Sequence, residues 1–276
     1  MPTFATIRAD LDTDRSQIND HLRHLLAGEH GDANGIVQEA MRYAVLGTAQ
    51  RIRPILALRV ARLLDAPADL ACRAASAVEL LHCASLIVDD LPCMDDSATR
   101  RGQPSVHVKF GEATAVLAAF GLVALASRIL VEVDCSGDER RRLLNFQIKL
   151  LRSMDCAGLI AGQALDLQLT GNRYRRTDRQ VTELKTVPLF QLAVEAGCLF
   201  SDLDANEEAL LRCFGREFGL AFQMTDDVLD GEAIPPARIA GKLTTLRAAI
   251  SPFDARACEL EEMVDYLHAR VTGHRP

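Results

Sequence analysis

Apolar residues recur at steps of three and four through most of this chain, and no stretch sustains the alternation of a half-buried strand. In "DLACRAASAVELLHCASLIVDD", residues 69–90, apolar or small side chains stand at 70, 74, 78, 81, 85 and 88. The same periodicity predicts helices over 36–46, 55–64, 113–132, 140–165, 188–200, 206–230 and 254–270. Short polar or Gly/Pro-rich breaks separate them: 64–69, 134–139, 169–178, 201–208 and 231–241. No proline falls between 105 and 187, which leaves room there for several full helices. With no internal repeat of fixed period, the expectation is one all-α domain over 1–276, a single helical bundle with core-lining helices.

Several function classes drop out early. The formal net charge is −7 and the arginines are scattered, so no basic stripe offers itself to nucleic acid. The eight cysteines include no C-x-x-C pair and read as reduced, buried small hydrophobes of a cytoplasmic protein. The N-terminal "MPTFATIRADLDTDRSQ" lacks the apolar core of a signal peptide. The most apolar run, residues 113–126, is 14 residues long, too short for a membrane span, and reads as a core helix.

Two acidic clusters carry the chemical signal. Asp89, Asp90, Asp95 and Asp96 put four carboxylates within eight residues at the end of an apolar helix. They repel one another and oppose the helix dipole, so a solvated helix end of this kind is costly. Hard oxygen ligands at that density suit Mg²⁺, with waters and substrate phosphates completing its shell. Pro92 ends or bends the helix and lets the second pair face the first. The other cluster, "FQMTDDVLD", holds Asp226, Asp227 and Asp230, with Gln223 one turn earlier. Asp226 and Asp230 are i, i+4 on one face, a destabilising like-charge pair unless a cation intervenes.

Arg100 and Arg101 directly follow the first cluster. A guanidinium fork matches phosphate oxygens, so carboxylate-bound metal plus arginine is what a diphosphate requires on two sides. A surface pair salt-bridged to Asp95 or Asp96 is the competing reading. Arg51 and Arg53 precede an apolar helix, and His82 shares the face of Asp89, roughly 10 Å below it. Alone, such a histidine is more often a core residue than a ligand.

Together these residues resemble the trans-isoprenyl diphosphate synthases, the head-to-tail prenyltransferases. The resemblance rests on "AMRYAVLGTAQRIRPIL", "VELLHCASLIVDDLPCMDDSATRRGQPSVHVKFGEATAVLA", "GLIAGQALDL", "ELKTVPLF" and "FGLAFQMTDDVLD", five blocks in order across roughly 40–230, with a weaker echo through "AGKLTT". The DDxxxxD spacing of the first motif is similar to that of bacterial and plant geranylgeranyl and bacterial farnesyl diphosphate synthases. The resemblance implies the isoprenoid synthase fold, a helical bundle around a central apolar cavity. It also implies three Mg²⁺ held by Asp89, Asp90, Asp95, Asp226, Asp227 and Asp230 on an allylic diphosphate. Arg100, Lys185, Gln223 and Lys242 are then expected at the allylic site, and Arg51, His82 and Arg101 at the diphosphate of isopentenyl diphosphate. Thr186 and Gln163 are expected near the reacting carbons, and a homodimer is implied.

The chain departs from the family pattern at several points. Thr48-Ala49-Gln50 stands where a Gly-Gly-Lys is usual, so a neutral amide replaces a cation. Ala119-Phe120 replaces a Gly-Asp, Val187 replaces a glycine, and the loop after Asp230 is shortened. Ala84 and Ser85 are small where farnesyl-specific bacterial members carry an aromatic, which favours geranylgeranyl diphosphate, with Phe110 or Phe120 as the cavity floor. A farnesyl product is the runner-up. A class I terpene cyclase needs a different second metal motif, and a non-catalytic modulating subunit usually lacks one of the two aspartate motifs.

Overall fold

The computed structural model describes residues 4–27, 35–170 and 179–272. Thirteen helices are described: α1 (Phe4–Ala27), α2 (Ile36–Leu46), α3 (Ile52–Leu63), α4 (Ala68–Asp89), α5 (Val106–Phe110), α6 (Glu112–Arg128), α7 (Gly137–Met154), α8 (Leu159–Thr170), α9 (Arg179–Lys185), α10 (Val187–Cys198), α11 (Ala205–Leu229), α12 (Pro236–Ile250) and α13 (Cys258–Val271). A 3₁₀ turn, Ser251–Ala257, joins the last two. The only strands among the described residues are β1 (Thr99–Arg100) and β2 (Gln103–Pro104), so the chain is all-α.

α3, α4 and α10 form the centre of the bundle and pack on one another, with α6 against α4 and α11 against α10. Burial explains the first two: α3 and α4 are apolar around most of their circumference, so neither has a face to give to water. By length and composition α4 could cross a membrane, yet 72% of its apolar window lies inside the fold. α3 and α10 approach so closely that a Cβ on Gly197 would stand 2.6 Å from the Ala57 carbonyl oxygen; any larger residue there must push the helices apart.

Ser136 and Asp204 cap α7 and α11, each in a reciprocal box with Glu139 or Glu207 three residues on. The continuous helix expected over 140–165 is instead α7 and α8. Asp155 turns extended and its carboxylate accepts the Ala157 amide at 2.8 Å, a local bond that competes with helix continuation. The break expected over 231–241 ends early, because Pro236 starts α12 at a position where its missing N–H costs nothing. The break at 169–178 falls largely outside the described residues. α1 is strongly charged and carries a narrow apolar stripe, Leu11, Ile18, Leu22 and Leu26, which is buried. The cysteines divide: Cys72 and Cys83 are buried, whereas Cys93, Cys156, Cys213 and Cys258 are exposed on polar helix faces and turns; all eight are free thiols.

Buried ions fasten the two ends of this fold together. Arg59 of α3, 1% exposed, donates to Asp14 of α1 at 2.8 Å and to Glu262 of α13 at 2.9 Å.

Candidate active site

The first acidic segment takes its shape from how α4 stops. The helix ends at Asp89, before Pro92, and the chain folds back so that the Asp95 amide donates to the Asp89 carbonyl at 2.9 Å. Next comes a two-residue hairpin, with Arg101 (φ 54) and Gly102 (φ 77) in left-handed conformations between β1 and β2. The turn sends Arg100 back to Asp90, whose two carboxylate oxygens accept Nε at 3.0 and 3.1 Å. Asp90 is thereby buried and occupied, while its neighbour Asp89 faces a cavity.

Burial pushes the Asp89 carboxyl up to about 6, and Asp95 and Asp90 add to that, against the pull of Lys185 and Arg100. Lys185, at the end of α9, lies 3.7 Å from Asp89 and donates to Asp166 at 2.9 Å. Burial opposes its charge, but the carboxylates prevail and its pKa is raised. The placement depends on Gly162 of α8, where a Cβ would come within 2.9 Å of the Lys185 amide.

At the end of α11 the second cluster splits in the same way. Asp226 pairs with Arg270 of α13, while Asp227 accepts from Gln223 Nε2 at 2.8 Å, and Thr186 Oγ1 donates to Gln223 Oε1 at 2.9 Å. Burial raises both aspartates, countered by Arg270 at Asp226 and by Gln223 at Asp227.

Three cavities meet here. The largest, about 830 Å³, is walled by cations: Arg15, Arg51, Arg53, Arg100, Arg101 and Arg270, with Asp226 and Glu79. The second, about 430 Å³, is apolar and runs between α4 and α8 past Ser85, Val88, Met94, Met154, Ile160 and Leu167. The third, about 400 Å³, is acidic, with Asp95, Asp166, Asp227, Asp230 and Glu232. Arg53, His82 and Leu86 belong to both the cationic and the apolar cavity; Lys185 and Thr186 belong to both the apolar and the acidic one.

Arg53 and His82 stand 3.3 Å apart at that first shared wall, and Arg53 stacks 4.4 Å over Phe190. Burial lowers Arg53 to about 10, despite Glu79 and Asp226. Burial likewise drives His82 well below its usual range, helped by Arg53 and Arg101, so His82 is a neutral imidazole facing cations. Arg53 Nε and both side-chain atoms of Gln163 are buried without a hydrogen-bond partner among the described residues.

The sequence-derived residues therefore gather at the three cavities, with exceptions. Arg51 lines the cationic cavity but is locked into Glu79 at 2.6 Å and is 2% exposed. Lys242 pairs with Glu217 and lines none of the three. Ser85 faces the apolar cavity, whereas Ala84 is packed in the core. Phe110 packs edge-to-face against Tyr43, and Phe120 points outward at 70% exposure, so neither lines that cavity. Arg15, Glu79, Asp166 and Arg270 escaped sequence reasoning. Asp166 ends the quoted "GQALD" and Glu79 is one turn before His82, whereas Arg15 and Arg270 belong to no motif.

Among the described residues no three His, Cys, Asp or Glu side chains converge tightly enough to hold a metal alone. The acidic cavity offers five carboxylates, with Thr182, Thr186 and Gln223 beside them, all hard oxygen donors, and Mg²⁺ commonly takes only one or two carboxylates beside water and phosphate. The donor set fits such an ion.

A model of the polyprenyl synthetase family matches residues 34–242. The chain is 38% identical over 220 residues to geranylgeranyl pyrophosphate synthase 4 of Arabidopsis thaliana, covering 75% of this chain and 58% of that one. It is 39% identical over 217 residues to a probable farnesyl diphosphate synthase of Sinorhizobium fredii, covering 76% and 64%. The chain thus spans about three-fifths of these curated relatives. Among solved structures, an FPP/GFPP synthase from Zymomonas mobilis superposes with a TM-score of 0.84 at 30% identity, covering 95% of this chain and 98% of that one. A geranyltransferase from Legionella pneumophila gives 0.87 at 28% identity, covering 96% and 98%.

Proposed function

Because the chain belongs to the polyprenyl synthetase family, we propose that it joins isopentenyl diphosphate head-to-tail to an allylic diphosphate, with geranylgeranyl diphosphate as the product. One observation carries this reading: a cationic, an apolar and an acidic cavity share walls at Arg53–His82 and at Lys185–Thr186. Two diphosphates need separate charged sites, and the carbons that join need a dry space between them.

In this reading Arg51, His82 and Arg101 bind the diphosphate of isopentenyl diphosphate, with Arg53 at the same wall. Lys185 and Gln223 orient the allylic diphosphate beside Asp89, Asp95, Asp227 and Asp230, the carboxylates open to Mg²⁺, of which the family resemblance implies three. When bound, Mg²⁺ neutralises charge growing on the leaving diphosphate. The allylic C–O bond breaks and its electron pair leaves with the diphosphate. The isopentenyl double bond then supplies the pair for the new C–C bond, and a proton lost to the released diphosphate restores an alkene. Lys185 stabilises the departing group electrostatically, and the apolar lining excludes the water that would quench the cation. Thr186 and the Gln163 amide, which has no partner among the described residues, face that space from the polar side.

Small Ser85 in the cavity wall supports a C20 product. A farnesyl product is the second reading, favoured by the name of the Sinorhizobium relative. The reading also takes the enzyme to be a cytoplasmic homodimer. Incubation with Mg²⁺, isopentenyl diphosphate and, separately, C5, C10 and C15 allylic diphosphates is expected to give a C20 product by mass spectrometry. A C15 stop selects the farnesyl reading, and no condensation with any starter overturns both.

A further inference from the structure

Six arginines line the cationic cavity, and three of them are already paired with carboxylates of the fold: Arg51 with Glu79, Arg100 with Asp90 and Arg270 with Asp226. Arg53 and Arg101 belong to the wall described above. The sixth, Arg15, comes from α1, outside the 34–242 that the family model matches. Its one ion pair, from Nη1 to the half-exposed Asp12 a turn earlier, is a surface pair of the kind that contributes little. Arg15 Nε donates to the Gln50 carbonyl at 3.3 Å, and Nη2 makes no hydrogen bond among the described residues.

The backbone that carries Arg15 is anchored. Leu11, Ile18 and Leu22 are buried, and Asp14 accepts from Arg59 Nε and Arg62 Nη2, both at 2.8 Å. Asn19, at i+4 on the same helix face, also lines the cavity and accepts Arg51 Nε at 3.0 Å. Residues 46–50, which line the cavity where Arg15 meets it, carry no charge, and the Gln50 side chain accepts the Tyr266 hydroxyl at 3.4 Å. Arg15 is therefore the cation of that rim.

Resting on the function proposed above, we propose that Arg15 binds the diphosphate of isopentenyl diphosphate. Nη2 donates to a phosphate oxygen while Nε stays on the Gln50 carbonyl, since the donors of one guanidinium fork can serve both. No contact inside the fold has to be released, because the only pairing that competes with phosphate is the exposed one to Asp12.

The test is steady-state kinetics with Mg²⁺, isopentenyl diphosphate and an allylic diphosphate that the wild type accepts. Arg15→Gln is expected to raise the KM for isopentenyl diphosphate about tenfold, the loss of one charge-assisted hydrogen bond, and to leave kcat and the allylic KM within about twofold. Arg15→Lys recovers part of the loss. So does Gln50→Lys added to Arg15→Gln, because it returns a cation to the same rim from a different element. An unchanged KM in a folded Arg15→Gln protein overturns the proposal, as does a loss shared equally by kcat and both KM values. Should that variant not fold, Asp12→Asn serves: relieving Arg15 of its carboxylate is expected to lower the KM for isopentenyl diphosphate about twofold, and an unaltered KM overturns the proposal. A wild type that condenses its substrates but is indifferent to Arg15→Gln sinks this proposal alone, whereas one that condenses no allylic starter sinks the function with it.

Discussion

The two acidic motifs solve one electrostatic problem with different materials. Each has one aspartate held by an arginine and a neighbour left open: Asp90 with Arg100 beside Asp89, and Asp226 with Arg270 beside Asp227. In the first motif the arginine arrives ten residues later on a tight hairpin and remains 38% exposed. In the second it arrives 44 residues later on another helix and is buried. A local clamp can exchange its partner for water; a remote, buried one has to exchange it for another anion. The first clamp is thereby local and open to solvent, and the second remote and buried.

Removing the aspartates should break that contrast most sharply. Asp89→Ala and Asp226→Ala are each expected to lower turnover at least about a hundredfold, the usual effect of deleting one preorganised electrostatic group. The two clamped aspartates separate on stability. Asp226→Ala strands a buried guanidinium and should cost about 3–5 kcal/mol in denaturant unfolding. Asp90→Ala releases Arg100 to solvent and should cost about 1 kcal/mol. Equal losses would mean that the two clamps are equivalent.

The cationic wall offers a smaller test, in pH. His82 has a folded pKa well below its ordinary 6.5, so below that pH the unfolded chain binds more protons than the folded one. Its contribution to stability is complete above about pH 6.5 and drains away as pH falls through the folded value. His82→Asn should flatten that acid-side loss in unfolding curves taken from pH 7 to pH 5; an unchanged slope would assign the loss elsewhere.

The smallest effects concern product length. Ser85→Phe, placed in the wall of the apolar cavity, should shift the product toward a shorter chain with the condensation intact. Phe120→Ala should leave product length unchanged, since that ring projects away from the cavity. Product sizing by mass spectrometry reads both.

These particulars show where sequence reading succeeds. Helix α2 occupies the residues its periodicity predicts, because its buried face repeats within one element. Asp89, Asp95, Asp227 and Asp230 were legible because spacing alone brings carboxylates to a helix end. Arg270 was not, since its meaning depends on a neighbour 44 residues away and no local pattern marks it. Phe120 misled for the converse reason: its position in the chain suggests a cavity floor, but the rotation of α6 turns it to solvent. α1 hid its stripe of three leucines and one isoleucine among charges, of which Asp14 meets Arg59 and Arg62 of α3 only after folding.

The bracing of α1 and α13 by Arg59 also has a bearing on the order in which the chain is made. Both aspartate motifs and every family-matched residue leave the ribosome before α13 does, at about 5–20 residues per second. Until α13 emerges, Arg59 lacks Glu262 and the cationic cavity lacks Arg270. A nascent chain that carries both aspartate motifs therefore still lacks one wall of the cationic cavity, and that wall is added last.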